Sequence, residues 1–193
     1  VEFMAAVMNC DLHLTDKLAA YMAEVRRLGI EIVPPCVNRS AERFTVEDGR
    51  ILYALGALKN VGPEAMKLIV EARREGPFKD LFDLARRVEL KRIGKRPLEM
   101  LARAGAFDAL EANRARALAA LDALLAFSAA AQEEAASSQS SLFSGAAELP
   151  PPRLPSPEPW PPAERLAEER EAVGFYLSGH PLDAWAGALK RLG

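Results

Sequence analysis

The stretch LGALKNVGPEAM, residues 55–66, places a Gly-Pro step between two apolar segments. Pro63 suits the first turn of a helix, because the N–H group that proline lacks would have no partner there. Gly62 permits close backbone approach and a positive φ, and Asn60 is one of the few other residues that tolerate a left-handed conformation. The pattern therefore predicts a short apolar helix, a tight turn and a second helix, which is a helix-hairpin-helix.

The chemistry that such a turn supports is phosphate binding. The first N–H groups of the second helix lack partners within it and the helix dipole is positive there, so a phosphodiester can bind without any side chain reading a base. Lys59 before the turn and Lys67 after it add positive charge. The alternative is a plain αα-hairpin that only packs one helix on another.

A second group of cations lies in KRIGKRP, residues 91–97, just before a helix that is expected to begin near Pro97. A solvated loop is the alternative for this run. The segment AGAFD, residues 104–108, predicts a second hairpin, but it has Phe107 where the first has Gly62, so we expect a degenerate, mainly structural copy. The predicted set of DNA-binding residues is Lys59, Asn60, Val61, Gly62, Lys67, Lys91, Arg92, Lys95 and Arg96.

Composition supports an anion-binding centre. The 193 residues are 50% hydrophobic, which is enough to bury the core of one or two small domains. The net charge of −2 hides an asymmetry, because residues 50–116 hold 15 Lys and Arg against 9 Asp and Glu. The middle of the chain is therefore basic and the remainder acidic.

No catalytic or metal-binding constellation is expected in this chain. Its two cysteines, Cys10 and Cys36, and its two histidines follow no zinc spacing, which favours free thiols in the cytosol. His180 stands in a Gly-His-Pro turn without a nucleophile and an orienting acid at recognisable spacing. The sequence shows no signal peptide and no apolar run long enough to span a bilayer. It opens at Val1 within a helical pattern, from which we expect an excised fragment.

Hydrophobic periodicity predicts a mainly α fold with a small β-hairpin on the N-terminal side of the tandem hairpins. Thr15 is expected to cap a helix that Gly29 ends, with Leu18, Tyr21, Met22, Val25 and Leu28 as its buried stripe. Asn113 is expected to cap a long Ala/Leu helix. Further elements are predicted as a strand at residues 30–33, a hairpin of residues 43–46 with 51–53, and helices at residues 78–88 and 164–173.

From Ser137 the composition changes to Ser-rich and then Pro-rich sequence, with eight prolines between Pro150 and Pro162. Such a segment is expected to be an extended, mobile linker. Within it, Gln139 to Phe143 combines an amide with two adjacent large apolar side chains. This pattern suits a short peptide that enters a preformed pocket on a partner.

Five segments, in the same order, resemble the bacterial DNA polymerase III alpha subunit, a replicative C-family DNA polymerase. They are VEFMAAVMN, KLAAYMAEVRRLGIEIVPPCVN, LGALKNVGPEAMKLIVEARREGPFKDLFDL, KRPLEMLARAGAFD and EEREAVGFYLSGHPLD. The resemblance implies four regions. They are the end of a fingers-like domain (1–50), the tandem helix-hairpin-helix region (51–136), a linker with a clamp-binding peptide (137–162), and a helical segment leading to an OB domain missing here (163–193).

The resemblance also implies a function. The fragment would bind the backbone of duplex DNA through its hairpins and the sliding clamp through Gln139, Ser140, Ser141, Leu142 and Phe143, supporting processive DNA replication in the cytoplasm. Other polymerase III holoenzyme subunits would be partners, and a membrane would not. The parent protein would be a DNA-directed DNA polymerase that uses Mg²⁺ held by palm carboxylates. Nothing in this sequence resembles that palm, so the fragment alone is expected to be inactive.

Other interpretations stay open. A non-catalytic repair or recombination module could use the same hairpins, but it would lack the fingers-like opening and the GFYLSGHPLD end. A structural helical adaptor would make no nucleic-acid contact. An error-prone paralogue within the polymerase family would lack the pentapeptide at residues 139–143.

Overall fold

The computed structural model describes residues 1–138 and 149–181. Its strands are β1 (Ile32–Val33), β2 (Thr45–Glu47) and β3 (Arg50–Leu52), and 3₁₀ turns lie at Leu55–Ala57 and Arg73–Glu75. The helices are α1 (Glu2–Cys10), α2 (Thr15–Arg27), α3 (Pro63–Ala72), α4 (Leu81–Arg87), α5 (Leu90–Ile93), α6 (Lys95–Ala104), α7 (Arg114–Ala119), α8 (Leu121–Ser138) and α9 (Pro162–Val173). The mainly helical fold with a small β-hairpin is confirmed.

The sheet has the strand order β1-β3-β2. β2 and β3 form the predicted antiparallel hairpin, and positive φ values at Asp48 (51°) and Gly49 (73°) produce the tight turn between them. β1 pairs with β3 in parallel, with Ile32 opposite Ile51. The sequence predicted both the strand and the hairpin, but their pairing is a long-range contact that it did not predict.

Two details of α2 differ from the prediction. Thr15 is the first helical residue and Leu14 precedes it without a side-chain cap, so Thr15 does not cap the helix. Leu18, Met22 and Val25 are buried as expected, but Leu28 lies beyond the last helical turn and is 50% exposed. The chain leaves the helix at Leu28, so the helical spacing no longer applies there.

The first helix of the hairpin is a 3₁₀ turn rather than an α-helix. The segment 41–44 runs alongside it, because the N–H groups of Leu55 and Gly56 donate to the carbonyls of Ala41 (2.9 Å) and Glu42 (3.1 Å). A Cβ added to Gly56 would lie 2.5 Å from the Glu42 carbonyl oxygen and 2.9 Å from the Cα of Pro63. Gly56 therefore allows the 3₁₀ turn to approach α3 at backbone distance.

The helix predicted to run from Asn113 is divided into α7 and α8 at Ala120. Asn113 does cap α7, since its side chain accepts the N–H of Arg116 at 3.2 Å. The basic run was expected just before a helix that begins near Pro97, but it is itself largely helical, because α5 and the first turn of α6 contain it.

Residues 149–161 lack helix and strand, in agreement with an extended segment, but they are held against the helices. Leu149 and Leu154 are partly buried against the core. Arg86 donates to the carbonyl of Leu149 at 3.1 Å, and Asn113 donates to the carbonyl of Pro157 at 2.9 Å. The mobility expected for the linker stays a prediction, and in the structure two apolar side chains and two side-chain hydrogen bonds join residues 149–161 to the helices.

The core is continuous from Met4 to Leu177, so α9 and the turn after it pack on the same cluster as the N-terminal helices. α9 lies along α6, and Arg103 forms an ion pair with Glu168 between the two helices. Tyr53 is fully buried and its hydroxyl has no hydrogen-bond partner in the described part of the chain. Burial raises the pKa of Tyr53, with a smaller effect from the charge of Glu169.

We predict that Gly56→Ala destabilises the protein by about 1–3 kcal/mol, because a Cβ in backbone contact forces the 3₁₀ turn away from α3. Gly62→Ala is the matched control. Its Cβ would meet nothing within 4 Å. The free energy of unfolding should therefore change by no more than about 0.5 kcal/mol, and any larger change should be an increase. Urea denaturation of both variants measures the difference, and equal stabilities would contradict the packing role of Gly56.

Candidate nucleic-acid interface

Residues 58–62 form the predicted hairpin turn. The N–H of Val61 donates to the carbonyl of Leu58 at 3.1 Å, and Asn60 has a φ of 59°, which confirms its left-handed conformation. Gly62 has φ −91° and ψ 141°, so the positive φ that its sequence allowed is not used. The extended conformation follows from Pro63, whose ring excludes the helical region for the residue before it.

Gly62 is exposed, and neither its conformation nor its packing requires a glycine. A Cβ at this position would meet nothing within 4 Å. Within residues 1–138 and 149–181, the backbone N–H groups of Gly62 and Asn60 donate to no acceptor. Both groups can therefore bind an acceptor outside the protein, and the open space in front of Gly62 lets that acceptor reach the backbone.

α3 places the positive end of its dipole beside these N–H groups. Glu64, in its first turn, binds the ammonium of Lys67 at 2.8 Å. This hydrogen bond raises the pKa of Lys67. Because both side chains are exposed, an anion at the turn can compete with Glu64 for Lys67.

A cavity of about 830 Å³ opens beside the turn. One side is the hairpin itself, residues 56–63, and the other is the corner between α1 and α2 together with Arg43. The structure thus brings four residues of the predicted DNA-binding set to one cavity: Lys59, Asn60, Val61 and Gly62. It also adds Arg43, which the sequence did not indicate, because no local spacing connects residue 43 to the hairpin turn.

Lys59 connects the turn to α9. Its backbone N–H donates to the carbonyl of Ala172 at 2.8 Å, and its side chain lies against Gly174. Gly174 has a φ of 98°, and a Cβ there would lie 2.2 Å from Thr15. The position of Lys59 therefore depends on the docking of α9, which the sequence did not predict.

The four cations of the basic run are exposed, but none of them lines the cavity at the turn. Lys95 pairs with Asp122 at 2.6 Å and Arg92 approaches Glu89 at 3.9 Å. Lys91 and Arg96 pair with no carboxylate in the described part of the chain. The run is a second basic surface of helices α5 and α6, separate from the cavity at the hairpin turn.

The second hairpin turn is occupied by the protein's own charges. Gly105 is left-handed (φ 81°) and a Cβ there would lie 2.1 Å from the guanidinium of Arg114. Phe107 is buried. Arg114 is 6% exposed, binds Asp108 at 2.8 Å, and lies 3.6 Å from the carboxylate of Glu169. In this copy an arginine fills the space over the turn that is open in the first copy.

Several predicted features fall elsewhere. The predicted clamp-binding residues Gln139, Ser140, Ser141, Leu142 and Phe143 lie outside the described residues. His180 follows α9 in irregular chain and makes an edge contact with the ring of Tyr176 at 5.3 Å. The part of the chain that the structure describes contains no group of three His, Cys, Asp or Glu side chains able to hold a metal. None of the described helices combines the length and apolar character needed to cross a membrane.

An open hairpin turn at the start of α3 and a modified copy between α6 and α7 define a helix-hairpin-helix protein. A family model described as helix-hairpin-helix motif matches residues 29–117. The hairpin predicted from the Gly-Pro step is therefore confirmed.

Almost the whole chain is similar to curated DNA polymerase III alpha subunits. It is 47% identical over 192 residues to that of Caulobacter vibrioides, 44% over 188 residues to that of Thermus aquaticus, and 40% over 196 residues to that of Escherichia coli K12. These matches cover 99%, 97% and 98% of this chain but only 17%, 15% and 17% of the relatives. Over the segment that it covers, the chain is similar to DNA polymerase III alpha subunits, which confirms the resemblance expected from the sequence.

We predict that Arg114→Ala lowers the free energy of unfolding by about 3–5 kcal/mol, because it leaves the buried carboxylate of Glu169 without its cation. Arg116→Ala is the control two residues away. Arg116 pairs with Glu111 at 3.5 Å and is 39% exposed, so its loss should change stability by about 1 kcal/mol or less. Urea denaturation measures both variants. An equal decrease in the free energy of unfolding would show that the burial of Arg114 does not determine how much it contributes to stability.

Proposed function

We propose that this segment binds the phosphodiester backbone of duplex DNA through the turn at residues 59–62, without reading sequence, as part of a replicative DNA polymerase. The observation that carries the proposal is Gly62: an exposed, extended glycine with an unpartnered N–H and open space where its Cβ would be. Close approach of a ligand to the backbone is a physical reason for a glycine there. The adjacent start of α3 favours an anionic ligand.

Lys59 supports the proposal further. It lines the same cavity as the turn and pairs with no carboxylate in residues 1–138 and 149–181, so its charge is available to a phosphate. The exposed cations Lys67, Lys91, Arg92, Lys95 and Arg96 would add weaker contacts to the backbone or raise the local concentration of DNA. Since three of these five already face carboxylates, we expect the unpaired Lys91 and Arg96 to contribute more.

The curated relatives are named DNA polymerase III alpha subunits, and the chain spans 15–17% of the three compared above. We propose that the complete protein is a DNA-directed DNA polymerase of the cytoplasm that works with other polymerase III holoenzyme subunits. Mg²⁺ held by palm carboxylates would supply the charge that stabilises attacking and leaving oxygens during nucleotide transfer. The contribution of the present segment would be to hold the duplex near that site.

We also propose that Gln139, Ser140, Ser141, Leu142 and Phe143 bind the sliding clamp. The glutamine amide can donate and accept hydrogen bonds, and burial of Leu142 and Phe143 should contribute about 1.5–3 kcal/mol each before ordering costs. The described residues on either side are held by the protein, since α8 ends at Ser138 and Arg86 binds Leu149. The peptide would thus remain at high effective concentration beside a clamp on the same DNA, which is the basis of processivity.

We predict that the protein binds 20-base-pair duplexes of unrelated sequence with equal affinity and that log K falls linearly with log salt. Duplex affinity should be highest for the unmodified protein, lower for Gly62→Ala and lowest for Gly62→Val, because a larger side chain holds the phosphate farther from the backbone. Fluorescence anisotropy measures binding, and urea denaturation shows that all three proteins are folded. Absence of duplex binding by the unmodified chain would favour a structural adaptor, and equal affinities in the series would remove Gly62 from the interface.

We predict that Leu142→Ala with Phe143→Ala abolishes binding to the purified clamp, because both apolar anchors are lost together. Ser140→Ala with Ser141→Ala is the matched control, since it changes the two intervening residues and should keep most of the affinity. Thermal stability and duplex affinity should be the same in both double variants. Clamp capture that survives the loss of Leu142 and Phe143 would show that the pentapeptide is not the contact.

A further inference from the structure

The cavity beside the hairpin turn has a second wall. None of the residues in this wall belongs to the DNA-binding set predicted from the sequence. This wall is the corner between α1 and α2, with Asn9, Cys10, Leu12, His13 and Thr15 facing the cavity. Arg43 lies at the junction of the two walls. Asn60 and Lys59 line the cavity from the hairpin, and the side chain of Lys59 lies close to Thr15 of the corner, beside Gly174.

The second wall is held firmly in place. The side chain of Asn9 donates to the carbonyl of Phe44 and accepts its N–H, each at 2.8 Å. The carboxylate of Asp11 accepts the Tyr21 hydroxyl at 2.6 Å and the Lys17 ammonium at 3.1 Å. The segment 41–44 is hydrogen-bonded to the 3₁₀ turn on its other side. The short segment 41–44 therefore fixes both walls relative to each other.

Arg43 is an exposed cation that pairs with no carboxylate in the described ranges. Its guanidinium lies 3.5 Å from the backbone carbonyl of Asn9, which leaves most of its five donors available. It is also close to Lys67. Its positive charge lowers the pKa of Lys67, in opposition to the larger effect of the hydrogen bond from Lys67 to Glu64, which raises that pKa. Arg43, Lys59 and Lys67 thus surround the start of α3 with positive charge.

The volume of the cavity exceeds what a single phosphate needs. About 830 Å³ falls in the range of pockets that bind drug-sized molecules, roughly 300–1,000 Å³. The lining is mixed, with apolar Leu12 and Ala57 beside the polar residues. A phosphate together with its adjoining deoxyribose has both the size and the mixed polarity that this lining fits.

We propose that one strand of a DNA duplex passes between the hairpin turn and the α1–α2 corner. Its phosphate at the turn would be bound by backbone N–H groups, and the adjoining deoxyribose-phosphate would contact Arg43 and the corner at residues 9–15. This inference rests on the proposed DNA binding at the hairpin and extends that site to a second wall and a further cation.

The first experiment compares Arg43→Gln with Arg74→Gln in duplex titrations over a range of salt concentrations. Both arginines are exposed and pair with no carboxylate in the described residues, and Arg74 does not line the cavity. The two variants therefore change the net charge equally. Arg43→Gln should weaken binding about tenfold and lower the salt slope by about one unit, whereas Arg74→Gln should change affinity less than about twofold.

The second experiment uses Cys10, an exposed thiol in the second wall, as a probe. In a Cys36→Ser protein, saturating duplex should slow alkylation of Cys10 by N-ethylmaleimide about tenfold or more. The control protein carries Cys10→Ser, Cys36→Ser and Ala20→Cys, which places the thiol on the exposed side of α2, and its alkylation should be unaffected. Inorganic phosphate at millimolar concentration should not protect Cys10.

The possible results distinguish a failure of the second wall from a failure of DNA binding at the hairpin turn. Suppose that the unmodified protein binds duplex, that Arg43→Gln and Arg74→Gln have equal affinities, and that duplex does not slow alkylation of Cys10. This result would overturn the second wall and leave the hairpin site in place. Protection of Cys10 by inorganic phosphate equal to that by duplex would show a simple anion cleft and would also overturn it. Absence of duplex binding by the unmodified protein would overturn both proposals.

Discussion

The buried ion pair between Arg114 and Glu169 is the interaction on which the open hairpin turn depends. Glu169 is 1% exposed, and one of its oxygens accepts the N–H groups of Leu177 and Ser178 at 3.0 and 2.8 Å. It therefore holds α9 against Arg114 and folds the following turn back on the helix. A buried carboxylate without a cation is strongly unfavourable, so α9 has one favourable position on the bundle. In that position the carbonyl of Ala172 accepts the N–H of Lys59 and fixes one end of the first hairpin turn.

The two hairpins differ in what lies over their turns. Both turns use a residue with positive φ, Asn60 in the first and Gly105 in the second. In the second, the guanidinium of Arg114 lies against Gly105 and fills the space beside the turn. The first turn leaves the space in front of Gly62 open, and the N–H groups of Asn60 and Gly62 have no acceptor in the described residues. The copies also differ in backbone, because residues 58–62 connect a 3₁₀ turn to α3 whereas residues 105–113 connect helices α6 and α7.

The sequence predicted what depends on near neighbours along the chain. Gly62-Pro63 marked the start of α3, Asn60 marked the left-handed residue, and the helical spacing identified most of the core of α2. It did not predict the parallel pairing of β1 with β3, the docking of residues 149–161, or the contact between Lys59 and α9. Each of these joins segments far apart in sequence, and no local pattern carries that information. Arg43 was missed for the same reason.

Burial also changes what a charge count means. Residues 50–116 carry an excess of cations, but Arg114 is used inside the protein and Lys67, Arg92 and Lys95 face carboxylates. The positive field available to DNA is therefore smaller than the composition suggests. The N–H groups at the start of α3 differ from these side chains, because no rotation can turn them toward a carboxylate elsewhere on the surface. A site built around backbone donors keeps its geometry when the surrounding lysines exchange partners, and backbone donors can bind a phosphate without reading the base sequence.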